Sequence, residues 1–198
     1  DSNFGKDLNK TLKLFKIIKK LKIKWFASID TITLGRDTFL KKAKESNCIG
    51  LYVGFESLNE KVLKSQNKYH NKPSRYKQLI QNANKVGIPL TGAFIFGFDL
   101  DTKNIFQKTI DFCNKTGLTF ASFHTLVPDP GTQIFNQLKE ENRLLHTNTP
   151  EDWKEYHRGN VVFVPKNMSV KELKEGCRRV SDEFYSIKSI YQRFFKSN

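Results

Sequence analysis

Two rhythms of apolar residues alternate along this chain. In LNKTLKLFKIIKKL, the residues Leu12, Leu14, Phe15, Ile18 and Leu21 recur at near-helical spacing, and the run IKWFASI that follows reads as a strand. RDTFLKKAKES returns to the helical period with Phe39, Leu40 and Ala43 facing inward, before a second strand, IGLYVGF. PSRYKQLIQNANKVG opens with the helix-start residues Pro73 and Ser74 and stops at Gly87. IPLTGAFIFGF is a third strand, TKNIFQKTIDFCNKTG a helix closed by Gly117, LTFASFHTLVP a fourth strand, and GTQIFNQLKEENRL a further helix.

Near-continuous apolar strands joined by helices predict a parallel sheet with right-handed crossovers, its strands buried on both faces. The fold class is therefore α/β, a parallel sheet or partial barrel, and a ligand site belongs at the carboxyl ends of the strands. The polar residues at those ends stand out. Glu56 stops the second strand, Asp99 and Asp101 follow the third in IFGFDLD, and TLVPDPGT ends the fourth in a Pro-Gly turn that exposes backbone groups. From the residues alone, Glu56 is either a group pointing into the mouth of the sheet or a cap on the helix after it. Asp99 and Asp101 have the same two readings, as site groups or as turn and N-cap residues. His124 reads as a core histidine, with a wall of the site as the alternative. Tyr156 and His157, in the tail, are substrate contacts or packing residues.

Composition narrows the class. The chain has 198 residues, of which 38% are hydrophobic and 17 are Phe, enough for one globular core. No apolar stretch approaches the ~20 residues of a membrane span, and the N-terminus lacks a signal-peptide layout, so the expectation is a cytoplasmic protein. The net charge of +14 raises the question of nucleic acid. Most of that charge is Lys spread at spacings that solvate helix faces, with no arginine cluster among aromatics, so nucleic acid is disfavoured as a partner. Cys48, Cys113 and Cys177 lie far apart, with no metal-ligand spacing, and read as reduced, buried residues; no metal ligand is assigned.

The ordered series DSNF, VGFES, GAFIFGFDLD and LVPDPGT, separated by helices, resembles the later part of a radical S-adenosylmethionine (SAM) domain. It is similar in particular to the cobalamin-binding group, whose members include hopanoid- and porphyrin-modifying enzymes. The tail from Glu151 to Arg193 resembles the extension after the barrel in that group. The resemblance implies a partial parallel (β/α) barrel over residues 1–147, truncated at its N-terminus, and a mainly helical extension over residues 148–198. It also implies a SAM site: Asp1 and Asn3 near the methionine moiety, Glu56 and Ser57 at the ribose, Gly97 with Asp99 or Asp101 beside adenine or methionine, and Leu126, Val127 and Pro128 against adenine. These residue types suit the ligand, since ribose hydroxyls donate to a carboxylate and a flat base needs apolar walls and backbone edges.

The family holds a 4Fe-4S cluster through a CxxxCxxC motif, which these 198 residues lack. The expectation is therefore the C-terminal portion of a radical SAM enzyme, inactive alone, with the missing N-terminal part of the same protein as its partner and cobalamin as a further cofactor of the parent. Two other readings stand beside it: a non-catalytic nucleoside- or protein-binding subunit, and a basic RNA-associated module. No residue marks the substrate, whether a small molecule or a lipid. A barrel-like sheet without its first strands should expose an edge and be only marginally stable.

Overall fold

The computed structural model describes residues 3–148, 150–157 and 159–197, with the side chains of 196 and 197 left aside. Helix α1 (Leu8–Leu21) begins at Asp7, whose carboxylate accepts from the Lys10 N–H at 3.1 Å, and leads into β1 (Trp25–Ile29). Next come α2 (Thr31–Leu34), α3 (Asp37–Glu45), β2 (Cys48–Glu56), α4 (Glu60–Ser65) and α5 (Pro73–Lys85). Then follow β3 (Leu90–Phe96), α6 (Asn104–Thr116), β4 (Phe120–Thr125) and α7 (Gln133–Glu140). A 3-10 turn (Glu151–Glu155), α8 (Val170–Phe184) and α9 (Ile187–Ser197) complete the chain.

The expected fold is present. All three strand pairings are parallel, in the order β1-β2-β3-β4, and the sheet is not closed. Pro73 starts α5, and Gly117 ends α6 at a φ of +70°, a conformation in which glycine avoids the Cβ clash. The short α2 and α4, one to two turns each, were not legible from periodicity because so few residues cannot display it. Among the described residues, no helix is long and apolar enough to cross a membrane.

The two faces of the sheet differ, which corrects the expectation of strands buried on both. Leu51, Val53 and Phe55 of β2, with Leu90, Phe94 and Phe96 of β3, are buried beneath the helices. Tyr52, Gly54, Glu56, Ile95, Ser122 and His124 alternate with them and are only half-buried on the concave inner face. Phenylalanine builds much of the outer layer. Phe55 stacks on Phe94 (5.8 Å between ring centres), Phe94 on Phe123 (5.8 Å), and Phe123 meets Phe184 of α8 edge-on at 5.5 Å.

Both outer strands carry cover. The Phe4 N–H donates to the Ser28 carbonyl at 2.8 Å, so the first described residues lie along β1. On β4, the Tyr185 hydroxyl donates to the Ala121 carbonyl (2.7 Å) and accepts from the Ala121 N–H (3.3 Å), taking the position that another strand's backbone would use. Helix α8 packs on α6 and β4. Helix α8 starts in a capping box between Ser169 and Glu172, and its Gly176 rests on the Phe106 ring so closely that a Cβ there would lie 2.3 Å from it.

Candidate functional site

At the carboxyl ends of the strands, the inner face opens into a groove with two lobes. One lobe is walled by Asn3, Ser28, Asp30, Lys68, His70 and Asn71. The other is walled by Ala93, Ile95, His124, Leu126, Val127 and Asp129. Tyr52, Gly54 and Glu56 border both. The Tyr52 side chain crosses the inner face to hydrogen-bond Ser122 at 2.9 Å and forms a floor. A Cβ on Gly54 would sit 2.6 Å from the Glu56 Oε1, so glycine is needed for the carboxylate to lie where it does.

Glu56 occupies an unusual backbone position. Its φ is +67°, and the Ser57 N–H donates back to the Phe55 carbonyl at 2.8 Å, the i to i+2 bond of a left-handed γ-turn. At the same point the pairing of β2 with β3 shifts register between Gly54 and Glu56. Such a turn at a non-glycine residue costs about 1–2 kcal/mol and persists where the surroundings over-determine it. They do so here. The buried Asn71 amide donates to the Gly54 carbonyl (2.9 Å) and the Phe55 carbonyl (3.2 Å), while the Tyr76 hydroxyl donates to the Phe55 carbonyl at 2.8 Å. Thr31 in turn donates to Asn71 at 2.8 Å, fixing its amide orientation. The carboxylate itself stays accessible and meets the Lys68 ammonium at 3.4 Å.

Asp30 lies across the first lobe. Its carboxylate accepts from the Thr33 N–H at 2.6 Å; burial raises its pKa, but that bond, the Asn3 side chain and the nearby His70 outweigh the effect and hold it below the usual carboxylate value.

The structure sorts the residues expected at the site into two groups. Asn3, Glu56, Leu126 and Val127 wall the groove, and so does the half-buried His124, which corrects its reading as a core residue. Asp1 lies outside the described residues. Ser57 is buried, and its hydroxyl accepts from the Asn59 N–H at 3.0 Å, so it supports the turn behind Glu56. Pro128 is buried next to Val127.

Gly97, Asp99 and Asp101, expected beside the ligand, are engaged elsewhere. Gly97, at a φ of +105°, packs against Leu173 of α8. The Asp99 carboxylate is held by both terminal nitrogens of Arg143 (2.7 and 3.1 Å) and by Lys166 (3.0 Å), which binds the segment after α7 to this loop. Burial works against its ionisation, yet these cations hold the Asp99 carboxyl below its ordinary value. Asp101 is 1% exposed and turned inward, where its Oδ2 accepts from the Gly97 and Phe98 N–H groups at 3.1 Å each. The reason is local: a glycine at the end of β3 lets the chain fold back on itself, and the Asp101 carboxylate closes that fold. Tyr156 is a packing residue, donating to the His146 carbonyl at 2.6 Å.

Asp30, Tyr52, Lys68, His70 and Asn71 were not anticipated from the sequence. The alternation Tyr52, Gly54, Glu56 within β2 carried the signal for Tyr52. Nothing in the linear pattern carried it for Asn71, whose partners are backbone carbonyls.

The residues present do not fit an iron-sulfur cluster. Cys48, Cys113 and Cys177 are buried on β2, α6 and α8. Burial pushes the thiols of Cys48 and Cys177 up to about 11 and raises that of Cys113 as well, which opposes the thiolate form that iron requires. Among the described residues, no group of three or more His, Cys, Asp or Glu side chains could hold a metal ion.

Comparison with known proteins places this geometry. The sequence profile of the Radical SAM superfamily matches residues 3–113, and that of a domain of unknown function, DUF4070, matches residues 132–198. The chain is 34% identical to the bacteriochlorophyllide d C-12(1)-methyltransferase of Chlorobaculum tepidum over 92% of its own length and 39% of the relative's. It is 26% identical to the C-8(2)-methyltransferase of the same organism over 82% of the chain and 36% of that protein. It is 24% identical to the hopanoid C-2 methylase of Rhodopseudomonas palustris over 72% and 26%. The radical SAM methyltransferase TsrM from Kitasatospora setae, solved with cobalamin and a 4Fe-4S cluster, superposes with a TM-score of 0.62 at 14% identity, covering 89% of this chain and 36% of that one.

Proposed function

Because the chain belongs to the radical SAM superfamily, we propose that it supplies the later strands of a radical SAM methyltransferase domain and binds SAM in the groove at their carboxyl ends. The observation that carries this reading is Glu56: a half-buried carboxylate presented into the groove by a strained γ-turn that Asn71 and Tyr76 hold in place. It accepts from the ribose hydroxyls. Ile95, Leu126 and Val127 provide apolar walls for the adenine. Asn3 and Asp30 face the other lobe, where the charged methionine end of SAM lies against polar groups. Ser57, Gly97, Asp99 and Asp101 act on this site by fixing the loops around it.

In the superfamily an iron-sulfur cluster delivers the electron that cleaves SAM; no residue of this chain supplies it, and the residues here act by binding and orientation. The relatives extend well beyond the region matched, so the reading includes further parts of the same polypeptide as the source of the cluster and of a cobalamin-dependent methyl transfer. Residues 1–147 form the barrel part and residues 148–198 the extension, joined at Asp99, whose carboxylate meets Lys166 and whose carbonyl accepts from Asn167. The substrate class is a large, apolar small molecule, in keeping with the bacteriochlorophyllide and hopanoid relatives.

Calorimetric titration of SAM into the wild-type protein and Glu56→Gln tests this. Removing the charge from an acceptor of hydroxyl donors should weaken binding by about tenfold or more, because charge-assisted hydrogen bonds contribute ~1.5–3 kcal/mol. Equal affinity for the two proteins overturns the ribose assignment, and the absence of SAM binding to the wild type overturns the site.

A further inference from the structure

Helix α9 is amphipathic in the reverse sense. The side it turns to the protein is polar: Ser189 is 4% exposed and Arg193 5%. The Arg193 guanidinium donates to the Phe184 carbonyl (2.7 Å) and the Asn114 side chain (3.2 Å), meets the Ser189 hydroxyl, and lies 3.5 Å over the Phe184 ring. Ser189 donates to the same Asn114 oxygen at 2.6 Å. The side turned to solvent is apolar and aromatic, with Ile187 88% exposed, Tyr191 65%, and Phe194 and Phe195 61% each. Tyr191 packs on Phe195 at 4.6 Å between ring centres, and Phe195 on Phe194 at 5.5 Å.

A helix on a globular protein ordinarily buries its apolar stripe and shows water its charges. Here the buried cation and its hydrogen bonds lock the opposite arrangement. Rolling the helix to hide the aromatics would strip Arg193 of its partners, so the aromatic face is fixed outward. Contiguous exposed apolar surface of this kind marks an interaction site.

Charge selects the partner. Apart from the buried Arg193, the charged residues between Phe184 and Asn198 are Lys188 and Lys196, with no acidic residue among them. Lys115 of α6, together with Asp111, borders the groove beside Tyr191 and Phe195. The whole chain carries +14, which draws it to an anionic surface and opposes pairing with a second copy. A short helix with Ile and Phe on its outer face, a Tyr hydroxyl among them and only cations as charges fits the headgroup boundary of a lipid layer. We propose that α9 is a membrane-surface anchor, which lays Ile187, Tyr191, Phe194 and Phe195 into the interface of a bilayer containing anionic lipid.

Co-sedimentation with phosphatidylcholine vesicles, with and without roughly one-third phosphatidylglycerol, tests the proposal at low and high salt. Expected is binding to the anionic vesicles that weakens with salt, and a loss of about tenfold or more in Phe194→Ser/Phe195→Ser with unchanged melting temperature. Should that variant fail to fold, Ile187→Ser/Tyr191→Ser must show the same loss. Three results would each overturn the proposal: no binding to anionic vesicles, binding unaffected by the substitutions, or a dimer in solution that the same substitutions dissociate. Binding of single-stranded RNA through these aromatics, in place of vesicles, would overturn it too.

Discussion

The ends of β2 and β3 read alike in sequence, VGFES against IFGFDLD, and both leave the sheet through a residue with positive φ. At β3 that residue is Gly97, which adopts φ +105° without a Cβ penalty, and the carboxylate of Asp101 then folds back to satisfy the N–H groups of Gly97 and Phe98. At β2 it is Glu56, which adopts φ +67° against its preference and keeps its carboxylate in the groove. One strand end spends its acid on its own backbone. The other strains its backbone to present the acid outward. The two ends thus differ in what holds the turn: at β3 the acid does it, and at β2 Asn71 and Tyr76 do it from other elements, which leaves the acid facing the groove.

The comparison breaks most visibly at Asp101. Asp101→Ala leaves two buried N–H groups without an acceptor, each worth ~1–3 kcal/mol, so unfolding at pH 5 should show a loss of about 2–6 kcal/mol. A loss under ~1 kcal/mol would mean that the β3 loop does not depend on its acid, and the contrast with β2 would fail.

A second effect follows from the burial of the same group. Burial pushes the Asp101 carboxyl up to about 6, although the two backbone N–H groups pull it down. A folded-state value above the unfolded one means that the native protein binds the proton more tightly. Stability from Asp101 therefore rises as pH falls from 7 through 6 and levels off near 4. The gain is about 2–3 kcal/mol at 1.36 kcal/mol per pH unit. Asp99, held low by Arg143 and Lys166, has the opposite sign: it contributes no slope between pH 7 and about 5, and its stabilisation is lost as pH falls further, where the unfolded carboxyl takes up protons first. Denaturant unfolding of wild type and Asp101→Asn at several pH values isolates the effect, which should vanish in the amide variant. Parallel curves for the two proteins would place the titration elsewhere.

These differences also show what the linear sequence could carry. Four strands, their helices and the parallel order were legible because each depends on the period of apolar residues. The place of the groove was legible because it depends on the strand order. Which acid faces the groove was not, since Asp99, Asp101 and Glu56 all follow an apolar strand in the same way. The outcome turns on a one-residue register shift between β2 and β3 and on Asn71, fifteen residues beyond Glu56. The outward aromatic face of α9 was hidden for a similar reason: its spacing reads as an amphipathic helix whichever side is buried.

The sharpest use of the comparison is to make the end of β2 resemble that of β3 by Glu56→Gly. Glycine removes the left-handed strain of about 1–2 kcal/mol, while its freer unfolded chain takes back roughly 0.5–1 kcal/mol. The lost ion pair with Lys68 is partly solvated and contributes ~0.5 kcal/mol or less. The variant should therefore be as stable as the wild type or more so, by up to about 1 kcal/mol. Its affinity for SAM should fall by about tenfold or more, because the ribose loses its charged acceptor. An unfolding curve and a SAM titration on one preparation separate the cases. Gain or parity in stability with lost affinity identifies a residue kept for its ligand against the preference of its backbone. A loss of ~1 kcal/mol in stability with affinity unchanged would make Glu56 a helix cap, and β2 would then end as β3 does.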